Sequence, residues 1–460
     1  MSLLYERAKK LADIIKKSKN VHIVTHIDAD GIAAGAIALE SLKRQGIEYS
    51  IECARQLDEQ VLSNLIDKNY DLVWFTDLGS GISNQYPEIK KVITDHHSCP
   101  NESDFNFHLN PHLFQLDGTF EISGAGTTYL VSKSLNKNNV DLSPLSIIGA
   151  CGDLQDKRYC KLVGENRNIM KDGKDGNYIK NIMDIRYFGR ETRPVAKLLQ
   201  YASDPNIPGL SGREDACTSF LQDLTIRSKD NEYLRKWIDL DKSERRKIIS
   251  SIAQLFLQKG FGYKIASRII GEIYILPKEA EGTELHDAKE FATLLNSTAR
   301  YGQHEVGLQV CLGDRDKNLK KALNLLRGHR QNLVAGLQFA REEKIEKRKY
   351  IQFFHAGEGI RDTIIGIVTN MMLHSEEVDS SLPLFGFAIK ENGDVKVSAR
   401  TTQELVDKGL NLSYIMKNAT KKIDGFGGGH SIAAGATIPK GKEEEFLEIV
   451  EKEIKNQLGL

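Results

Sequence analysis

Apolar runs that end in acidic residues recur along the first 155 residues of the chain. The segment VHIVTH is apolar and partly β-branched, GIAAGAIALESLKRQG has a helical pattern, and YSIECA returns to a strand pattern. Two further apolar runs, DLVWFTD and KKVITDHH, each reach an aspartate at a turn. Hydrophobicity that is continuous rather than alternating is typical of strands buried on both faces of a parallel sheet. The pattern therefore predicts an α/β fold with helices covering a parallel sheet.

The N-terminal segment repeats apolar residues at helical spacing between charges, at Leu4, Ala8, Leu11 and Ile15. This pattern predicts a docked surface helix rather than a signal peptide, which needs a continuous apolar stretch. Nowhere does an apolar run approach the length that spans a bilayer. The six cysteines are scattered without a CxxC pair, which favours reduced thiols. We therefore expect a cytoplasmic protein without a membrane partner.

Later segments predict two further regions after a first domain over 1–160. Residues 161–345 have mostly helical patterns and end in a long amphipathic segment that suits a helix linking two domains or, less favoured, a helix that binds a partner. Residues 346–460 predict a second, smaller α/β domain with a hairpin turn at Asn392-Gly393.

Charge adds little to this outline, because 63 basic residues balance 63 acidic residues over the 460 positions. Any affinity for nucleic acid must therefore come from a local patch. One candidate is RYFGRETRP, which mixes Arg186, Arg190 and Arg193 with aromatic rings. Basic aromatic loops are also common on surfaces that bind no nucleic acid.

Acidic and histidine side chains gather at the ends of the apolar runs. They are His26, Asp28 and Asp30 in HIDADG, Asp77 in FTDLGSG, Asp95, His96 and His97 in TDHHS, and Asp153 in GACGD. Because ligands of parallel sheets bind beyond the carboxyl ends of the strands, these side chains are expected to share one edge. Oxygen and imidazole ligands without thiolate suit Mn²⁺ or Mg²⁺, and several carboxylates allow two ions to be bridged. We predict a two-metal site of the kind used in phosphoryl transfer.

Each residue also has a structural alternative. An aspartate at a strand end often caps the following helix, a single strand histidine is usually a core residue, and DHH alone suits a polar turn. These alternatives would have to hold independently in four segments at one edge of the sheet. Carboxylates so close together would repel unless a cation neutralised them, which favours the metal site.

The C-terminal segment GFGGGHSIAAG offers a second candidate site. Glycines at 427, 428 and 429 allow the backbone to approach an anion closely and to present N–H groups. Runs of glycine also form flexible turns, so the segment by itself indicates only a possible anion contact.

In this order, the motifs HIDADG, TDLGSG, TDHH and GACGD resemble those of the DHH phosphoesterase superfamily, and GFGGGHSIAAG resembles the glycine-rich signature of its companion DHHA1 domain. The resemblance covers about residues 1–155 and 346–460. The H-x-D-x-D-G form of the first motif and the helical middle are similar to archaeal RecJ-like nucleases specific for single strands. Bacterial RecJ typically has another aspartate at the position of His26.

This resemblance implies a division of the metal ligands. One ion would be held by His26, Asp28 and Asp77, and the other by Asp30, Asp77, His96 and Asp153, with Asp77 as the bridge. The implied cofactors are two divalent ions, Mn²⁺ preferred or Mg²⁺. His97 would face the scissile phosphate, and Asp95 would orient a neighbouring imidazole.

The same resemblance implies a substrate-binding role for the C-terminal domain. Its contacts would come from Gly427, Gly428, Gly429, His430, Ser398 and Arg400. Among them, Arg400 is a candidate for gripping a terminal phosphate, because a planar guanidinium can bind two oxygens at once.

The implied activity is an exonuclease that releases mononucleotides from single-stranded DNA or RNA, acting in DNA replication or repair. Two alternatives stay open. One is a phosphodiesterase for short oligoribonucleotides or cyclic dinucleotides, although such family members are usually shorter. The other is a replication scaffold associated with the GINS complex, although degenerate scaffold members lose acidic ligands that this chain keeps.

Overall fold

The computed structural model describes residues 3–99, 106–373, 375 and 377–459. Two compact units divide the chain, unit 1 at Met1–Leu326 and unit 2 at Arg327–Leu460.

Unit 1 is built on a five-stranded parallel sheet, as the continuous apolar runs predict. Its strands are β1 (Asn20–His26), β2 (Glu48–Ala54), β3 (Leu72–Thr76), β4 (Lys91–Thr94) and β5 (His108–Leu109). Their order is β2-β1-β3-β4-β5, and every neighbouring pair is parallel. The prediction of a parallel α/β sheet is confirmed.

Six helices accompany this sheet. They are α1 (Leu3–Lys16), α2 (Ala29–Gln45), α3 (Glu59–Lys68), α4 (Gly124–Leu135), α5 (Ser143–Gly152) and α6 (Glu165–Asp175). The apolar stripe of α1 is buried at Leu4, Ala8, Leu11 and Ile15, which confirms the predicted docked helix. These side chains join one large core with Trp74 and Tyr129.

The rest of unit 1 is mostly helical. Its elements are β6 (Lys180–Ile185), α7 (Val195–Gln200), α8 (Glu214–Asp223), β7 (Lys229–Asp230), β8 (Tyr233–Leu234), α9 (Lys242–Gln258), α10 (Tyr263–Ala266), β9 (Ile270–Ile275), α11 (Ala288–Arg300), α12 (His304–Cys311) and α13 (Lys317–Glu342). The strands form two antiparallel pairs, β6 with β9 and β7 with β8. Trp237 and Phe256 centre a separate core here, and α11 packs against α5. The boundary between the units falls within α13.

Unit 2 contains a mixed six-stranded sheet with helices. Its elements are β10 (Glu346–Lys347), β11 (Gln352–His355), α14 (Ile365–Met372), β12 (Leu384–Ile389), β13 (Val395–Arg400), α15 (Gln403–Asp407), α16 (Leu412–Lys421), β14 (Phe426–Gly429), β15 (Ala433–Ile438) and α17 (Glu443–Leu458). The strand order is β10-β11-β12-β13-β15-β14, with β11 and β12 parallel and the other pairs antiparallel. Strands β12 and β13 form the predicted hairpin, in which Gly393 has a φ of 88°.

The described helices include none that combines the length and apolar character needed to cross a membrane.

Candidate functional site

Three strands and one helix of unit 1 end at a shared cluster of acidic and histidine side chains. Strand β1 ends at His26, β3 ends one residue before Asp77, and β4 ends one residue before Asp95. Asp153 follows the last residue of α5 as its C-cap. The structure brings the predicted residues into contact as His26, Asp28, Asp30, Asp77, Asp95, His96, His97 and Asp153.

His26, Asp28 and Asp77 form a first group of possible metal ligands, whose ligand atoms lie within 4.8 Å of one another. The Nδ1 of His26 lies 3.0 Å from Oδ2 of Asp28 and 3.4 Å from Oδ2 of Asp77. Burial alone would lower the pKa of His26, but these two carboxylates raise it to about 11. The site therefore has a strong preference for positive charge.

Asp28 combines the capping role and the ligand position that the sequence left as alternatives. Its Oδ1 accepts a hydrogen bond of 3.0 Å from the N–H of Gly31 and so caps α2, while its Oδ2 faces His26. A Cβ on Gly31 would lie 2.3 Å from the carbonyl oxygen of His26. Only glycine allows the helix to begin so close to the strand end.

Asp30, His96 and Asp153 form a second group, also with ligand atoms within 4.8 Å of one another. The Nε2 of His96 lies 3.1 Å from Oδ2 of Asp153, 3.3 Å from Oδ1 of Asp77 and 3.7 Å from Oδ2 of Asp30. Asp77 thus directs Oδ2 toward the first group and Oδ1 toward the second. This position is suited to a bridging carboxylate.

The tautomer of His96 follows from its hydrogen bond to Gly118. Nδ1 lies 2.7 Å from the carbonyl oxygen of Gly118, and a carbonyl can only accept, so Nδ1 carries the hydrogen. In the neutral ring, Nε2 then carries a lone pair and faces carboxylate oxygens. Burial would lower the pKa of His96, but Asp153 and Asp77 raise it well above its ordinary value.

The donor set fits divalent metal ions. Among the residues that the structure describes, the buried atoms His26 Nδ1, His96 Nε2 and Asp77 Oδ1 have no hydrogen-bond partner of acceptable geometry. Imidazole nitrogens and carboxylate oxygens are ligands that Mn²⁺ accepts, and carboxylates that crowd one another favour a cation.

Asp30, in the first turn of α2, is fully buried and contacts the beginning of α4. Its carboxylate accepts the N–H groups of Gly124 at 2.6 Å and of Ala125 at 3.0 Å. Burial, with the charges of Asp77 and Asp153, nevertheless raises the pKa of Asp30. Burial likewise raises the pKa of Asp153. The acids on this side therefore repel one another in the absence of a cation.

Asp95 serves the neighbouring residues and belongs to none of the groups just described. Its Oδ1 accepts the backbone N–H of His96 at 2.8 Å and lies 2.8 Å from Nδ1 of His97, and its Oδ2 accepts the N–H of Ser80 at 2.9 Å. Burial would raise the pKa of Asp95, but His97 and these donors lower it. The bond to Asp95 raises the pKa of His97, whose side chain is 56% exposed. His97 also lies near the metal groups, with Nδ1 3.9 Å from Asp77.

The segment FHLNPH stabilises the TDHH turn through hydrogen bonds. Fully buried Asn110 donates 2.8 Å hydrogen bonds to Ser80 Oγ and to the carbonyl of His97, and His108 Nε2 lies 3.0 Å from Ser80 Oγ. The side chain of Asn110 also accepts from the N–H of His112, so it caps the following turn.

Sequence reasoning missed several residues that complete the site. The carbonyl of Gly118 also accepts from Gln155 Nε2 at 2.9 Å, and Gln155 Oε1 accepts from Asn166 at 2.7 Å. On α11, the side chain of Asn296 accepts the N–H of Ala29 at 3.1 Å. Burial lowers the pKa of Arg300 on the same helix, and the charge of Asp28 acts in the opposite direction. The available signal for α11 was the polar run Asn296 to Thr298, which follows the apolar pair Leu294 and Leu295 in an amphipathic helix.

In unit 2, Ser398 and Arg400 lie on one face of the sheet. Ser398 pairs with Gly435, which pairs with Gly428 in turn, and directly paired residues share a face. A Cβ on Gly366, near the start of α14, would lie 2.8 Å from Nη2 of Arg400 and 3.1 Å from Oγ of Ser398. Burial lowers the pKa of Arg400, and no carboxylate in the described part of unit 2 forms an ion pair with it. A half-buried guanidinium without an acidic partner is suited to bind an anion.

The glycines of GFGGGH form a strand rather than the flexible loop that we considered. Gly427 to Gly429 lie in β14 at the edge of the sheet. His430 is exposed in the turn between β14 and β15, and its N–H donates to the carbonyl of Ala433 at 2.8 Å. The same turn reaches the end of β13, where Thr401 N–H donates to Ile432.

The basic aromatic segment RYFGRETRP is largely internal. Arg186, Tyr187 and Arg190 are buried, and Arg190 Nη2 lies 2.8 Å from Asp184. This segment stabilises the helical part of unit 1, so most of it is not available to a nucleic acid.

Two domain models match the chain. The DHH-CID domain matches residues 187–270, and the DHHA1 domain matches residues 347–456. The uncharacterized protein MJ0831 of Methanocaldococcus jannaschii is 30% identical over 476 residues, which cover 99% of this chain and 100% of that protein.

Two solved structures share the fold. RecJ from Thermus thermophilus, in complex with Mn²⁺, has a TM-score of 0.60 at 17% identity over 98% of this chain and 55% of that chain. This protein thus spans about half the length of that RecJ. CDC45 from Entamoeba histolytica has a TM-score of 0.69 at 12% identity over 98% of each chain.

Proposed function

Because this chain belongs to the DHH/DHHA1 phosphoesterase superfamily, we propose that it is a metal-dependent phosphodiesterase that releases mononucleotides from an end of single-stranded DNA or RNA. The proposed cellular role is in DNA replication or repair.

The observation that carries this proposal is the position of Asp77 between two groups of possible metal ligands. Oδ2 faces His26 and Asp28, while Oδ1 faces His96 and, beyond it, Asp30 and Asp153. Two divalent ions, Mn²⁺ or Mg²⁺, would supply a water of lowered pKa and would neutralise charge on the phosphodiester. His26, Asp28, Asp30, Asp77, His96 and Asp153 would hold them.

His97 would contact the scissile phosphate. Its ring is half exposed, and Asp95 fixes Nδ1 at 2.8 Å, which leaves Nε2 as the outer donor. Because Asp95 raises the pKa of His97, the ring keeps its proton at a higher pH than an ordinary histidine. The imidazolium would donate a hydrogen bond to a phosphate oxygen.

In unit 2, Arg400 and Ser398 would bind the terminal phosphate of the strand. Arg400 is half-buried and forms no ion pair with an acid in the described part of unit 2, and Ser398 is on the same face of the sheet. At Gly366 the absence of a side chain keeps the space beside Arg400 Nη2 and Ser398 Oγ free of a Cβ. Gripping one end would explain stepwise release of mononucleotides.

The test is hydrolysis of single strands of DNA and RNA, labelled at the 5′ or 3′ end, with Mn²⁺ or Mg²⁺. We expect labelled mononucleotides from one end and loss of at least about 100-fold in rate for Asp77→Asn. Asparagine is chosen because Asp77 has a φ of 58°, which asparagine tolerates better than alanine. Asp67→Asn, exposed on α3, is the matched control. Near-normal hydrolysis by Asp77→Asn would refute the proposal.

A dinucleotide assay separates polymer from short substrates. If the protein cuts dinucleotides or cyclic dinucleotides and leaves long strands intact, the exonuclease proposal fails and the alternative activity replaces it.

A second candidate function is a replication scaffold associated with GINS, which the fold likeness to CDC45 favours. The retained acidic ligands favour catalysis, and the two roles are compatible. Copurification from native extract, compared with the activity of the isolated protein, distinguishes them. If the protein assembles with GINS without needing Mn²⁺ and hydrolyses no strand, the scaffold function is supported and the exonuclease function is not.

A further inference from the structure

Arg158 lies against two aromatic rings at the surface of unit 1. Its guanidinium carbon lies 5.1 Å from the ring centre of Phe120 and 5.3 Å from that of Tyr159. The two rings contact each other edge to face, with centroids 6.2 Å apart. We call these three side chains the Arg158 stack. It combines positive charge with aromatic surface, which proteins that bind single strands use for bases.

The Arg158 stack is connected by two short chain segments to the second group of possible metal ligands, at His96 and at Asp153. Phe120 is two residues after Gly118, whose carbonyl orients His96, and Arg158 is five residues after Asp153. Even an extended chain of this length would place Arg158 within about 18 Å of Asp153. A turn shortens this path, because the N–H of Lys157 donates to the carbonyl of Leu154 at 2.9 Å.

The backbone beneath the Arg158 stack is firmly held. Arg268 donates to the carbonyls of Lys157 at 2.9 Å and of Arg158 at 3.3 Å, and Asp204 pairs with the same guanidinium at 3.0 Å. Gln155, in the preceding turn, is fully buried. The backbone that carries Arg158 is therefore held in place, so binding to the stack requires no ordering of this backbone.

Internal packing does not account for the outer part of the Arg158 stack. Arg158 is exposed, Tyr159 is 48% exposed and neighbouring Leu154 is 56% exposed. No acidic side chain in the described part of unit 1 forms an ion pair with Arg158. The exposed Lys157 adds a second positive charge on a chain whose net charge is zero. A ligand with both a flat ring and negative charge complements this surface.

We propose that the Arg158 stack binds a nucleobase of the single-stranded substrate, in a nucleotide close to the scissile phosphate. This proposal rests on the proposed function and adds a contact to the base itself. Stacking on Tyr159 and Arg158 accepts any base, because every base presents a π-face. The Arg158 stack therefore supports binding of a polymer without sequence preference.

The test compares an ordinary oligonucleotide with one of equal length whose bases near the cleaved end are replaced by abasic sites. For Tyr159→Leu we expect KM on the ordinary strand to rise about 5- to 100-fold, with kcat little changed. KM on the abasic strand stays the same, because it has no base to stack. Tyr159→Phe keeps the ring and should restore the wild-type KM. Tyr233→Leu is the matched control, since Tyr233 is 49% exposed on β8.

Equal changes of KM on both strands, or none on either, would overturn the proposal. Mn²⁺ affinity and circular dichroism of Tyr159→Leu should equal those of the wild type, which separates a lost base contact from a misfolded variant. If the wild type hydrolyses neither strand, the proposed function fails. Fluorescence anisotropy of the same labelled strands then tests whether the Arg158 stack binds a base, by comparing the affinities for ordinary and abasic oligonucleotides.

Discussion

The imidazole of His96 donates from Nδ1 to the carbonyl oxygen of Gly118 over 2.7 Å, and this bond decides which nitrogen faces the acids. The same carbonyl accepts from Gln155, which in turn accepts from Asn166. Gln155 and Asn166 are fully buried, so these hydrogen bonds lie in the interior of unit 1. A metal ligand held in this way keeps its orientation and its tautomer.

Replacing Gln155 by methionine removes one hydrogen bond to the carbonyl of Gly118 and removes the nearer of two acceptors of Asn166 Nδ2. We expect Mn²⁺ affinity to fall about 10- to 100-fold, because the orientation of His96 loosens. The free energy of unfolding should fall by about 1 to 3 kcal/mol. Isothermal titration calorimetry and denaturant unfolding measure the two quantities.

The matched control is Gln352→Met in unit 2. Gln352 is also fully buried and donates to the carbonyls of Asp379 at 2.6 Å and Leu382 at 2.9 Å. It should destabilise the protein similarly without changing Mn²⁺ affinity. Equal Mn²⁺ affinities for the two variants would show that Gln155 has only a structural role.

Gly149→Ala should damage the metal site although glycine to alanine normally favours a helix by about 1 kcal/mol. A Cβ at this position in α5 would lie 2.1 Å from Oδ1 of Asp30 and 2.8 Å from the Cβ of Ala125. We expect a loss of about 1 to 3 kcal/mol in stability and weaker Mn²⁺ binding, because Asp30 must move.

Gly328→Ala in α13 provides the comparison, because its Cβ would meet no heavy atom within 4 Å. This variant should be as stable as the wild type or more stable by up to about 1 kcal/mol. Thermal unfolding of both variants checks the pair. A Gly149→Ala protein with unchanged Mn²⁺ affinity would contradict the placement of Asp30.

Binding of Mn²⁺ to the metal-free protein should release protons. His26 has its pKa raised to about 11 by Asp28 and Asp77 against the effect of burial, and the pKa of His96 is also raised. The His26 ring therefore holds an extra proton from about pH 6 to 9, which it must lose to become a ligand, and His96 keeps its proton to a higher pH than an ordinary histidine. Apparent affinity should rise about tenfold per pH unit for each proton released.

Calorimetry in buffers of different ionisation enthalpy counts these protons, and an affinity that stays constant from about pH 6 to 9 would exclude this linkage. The stability of the metal-free protein depends on pH in the opposite direction and falls as the pH rises. Because the folded pKa of His26 lies above its ordinary value, its contribution is present below the unfolded pKa and is lost as pH rises through about 11.

Arg400→Lys should reduce the preference for a phosphorylated strand end. A guanidinium binds two phosphate oxygens with fixed geometry, whereas an ammonium provides a point charge, so we expect about a tenfold loss in the ratio of kcat/KM for phosphate over hydroxyl ends. The ratio is measured at the end from which the enzyme degrades the strand. Arg341→Lys, 50% exposed in the same unit, should leave the ratio unchanged. If Arg400→Lys also leaves it unchanged, the terminal phosphate binds elsewhere.

Local patterns were sufficient for the main elements of the fold. Continuous apolar runs predict β1, β3 and β4 because burial on both faces requires apolar residues at every position. The helical spacing of Leu4, Ala8, Leu11 and Ile15 predicts α1, and Asn392-Gly393 predicts the hairpin. Each of these two signals is contained in a short, continuous stretch of the chain. The acidic residues after the strands were visible for the same reason.

The segment GFGGGH shows where local patterns were insufficient. Glycine has low intrinsic preference for strands, yet Gly427 to Gly429 form β14 because they pair with β15 and pack closely on α16. Tertiary pairing overrides the local preference. RYFGRETRP is similar, because burial of Arg186 and Arg190 depends on acids such as Asp184 and Asp204 that the motif does not contain.

The sequence by itself determined which residue types stand at the sheet edge, and therefore the chemistry of the predicted metal site. Only the tertiary structure decided that Oδ2 of Asp77 faces His26 and Oδ1 faces His96, because this depends on β1, β3 and β4 lying side by side. Only the tertiary structure likewise shows the roles of Gly118 and Gln155, which orient His96 through a backbone carbonyl and a side-chain amide. Such contacts join distant segments and have no periodicity, so no pattern along the chain announces them.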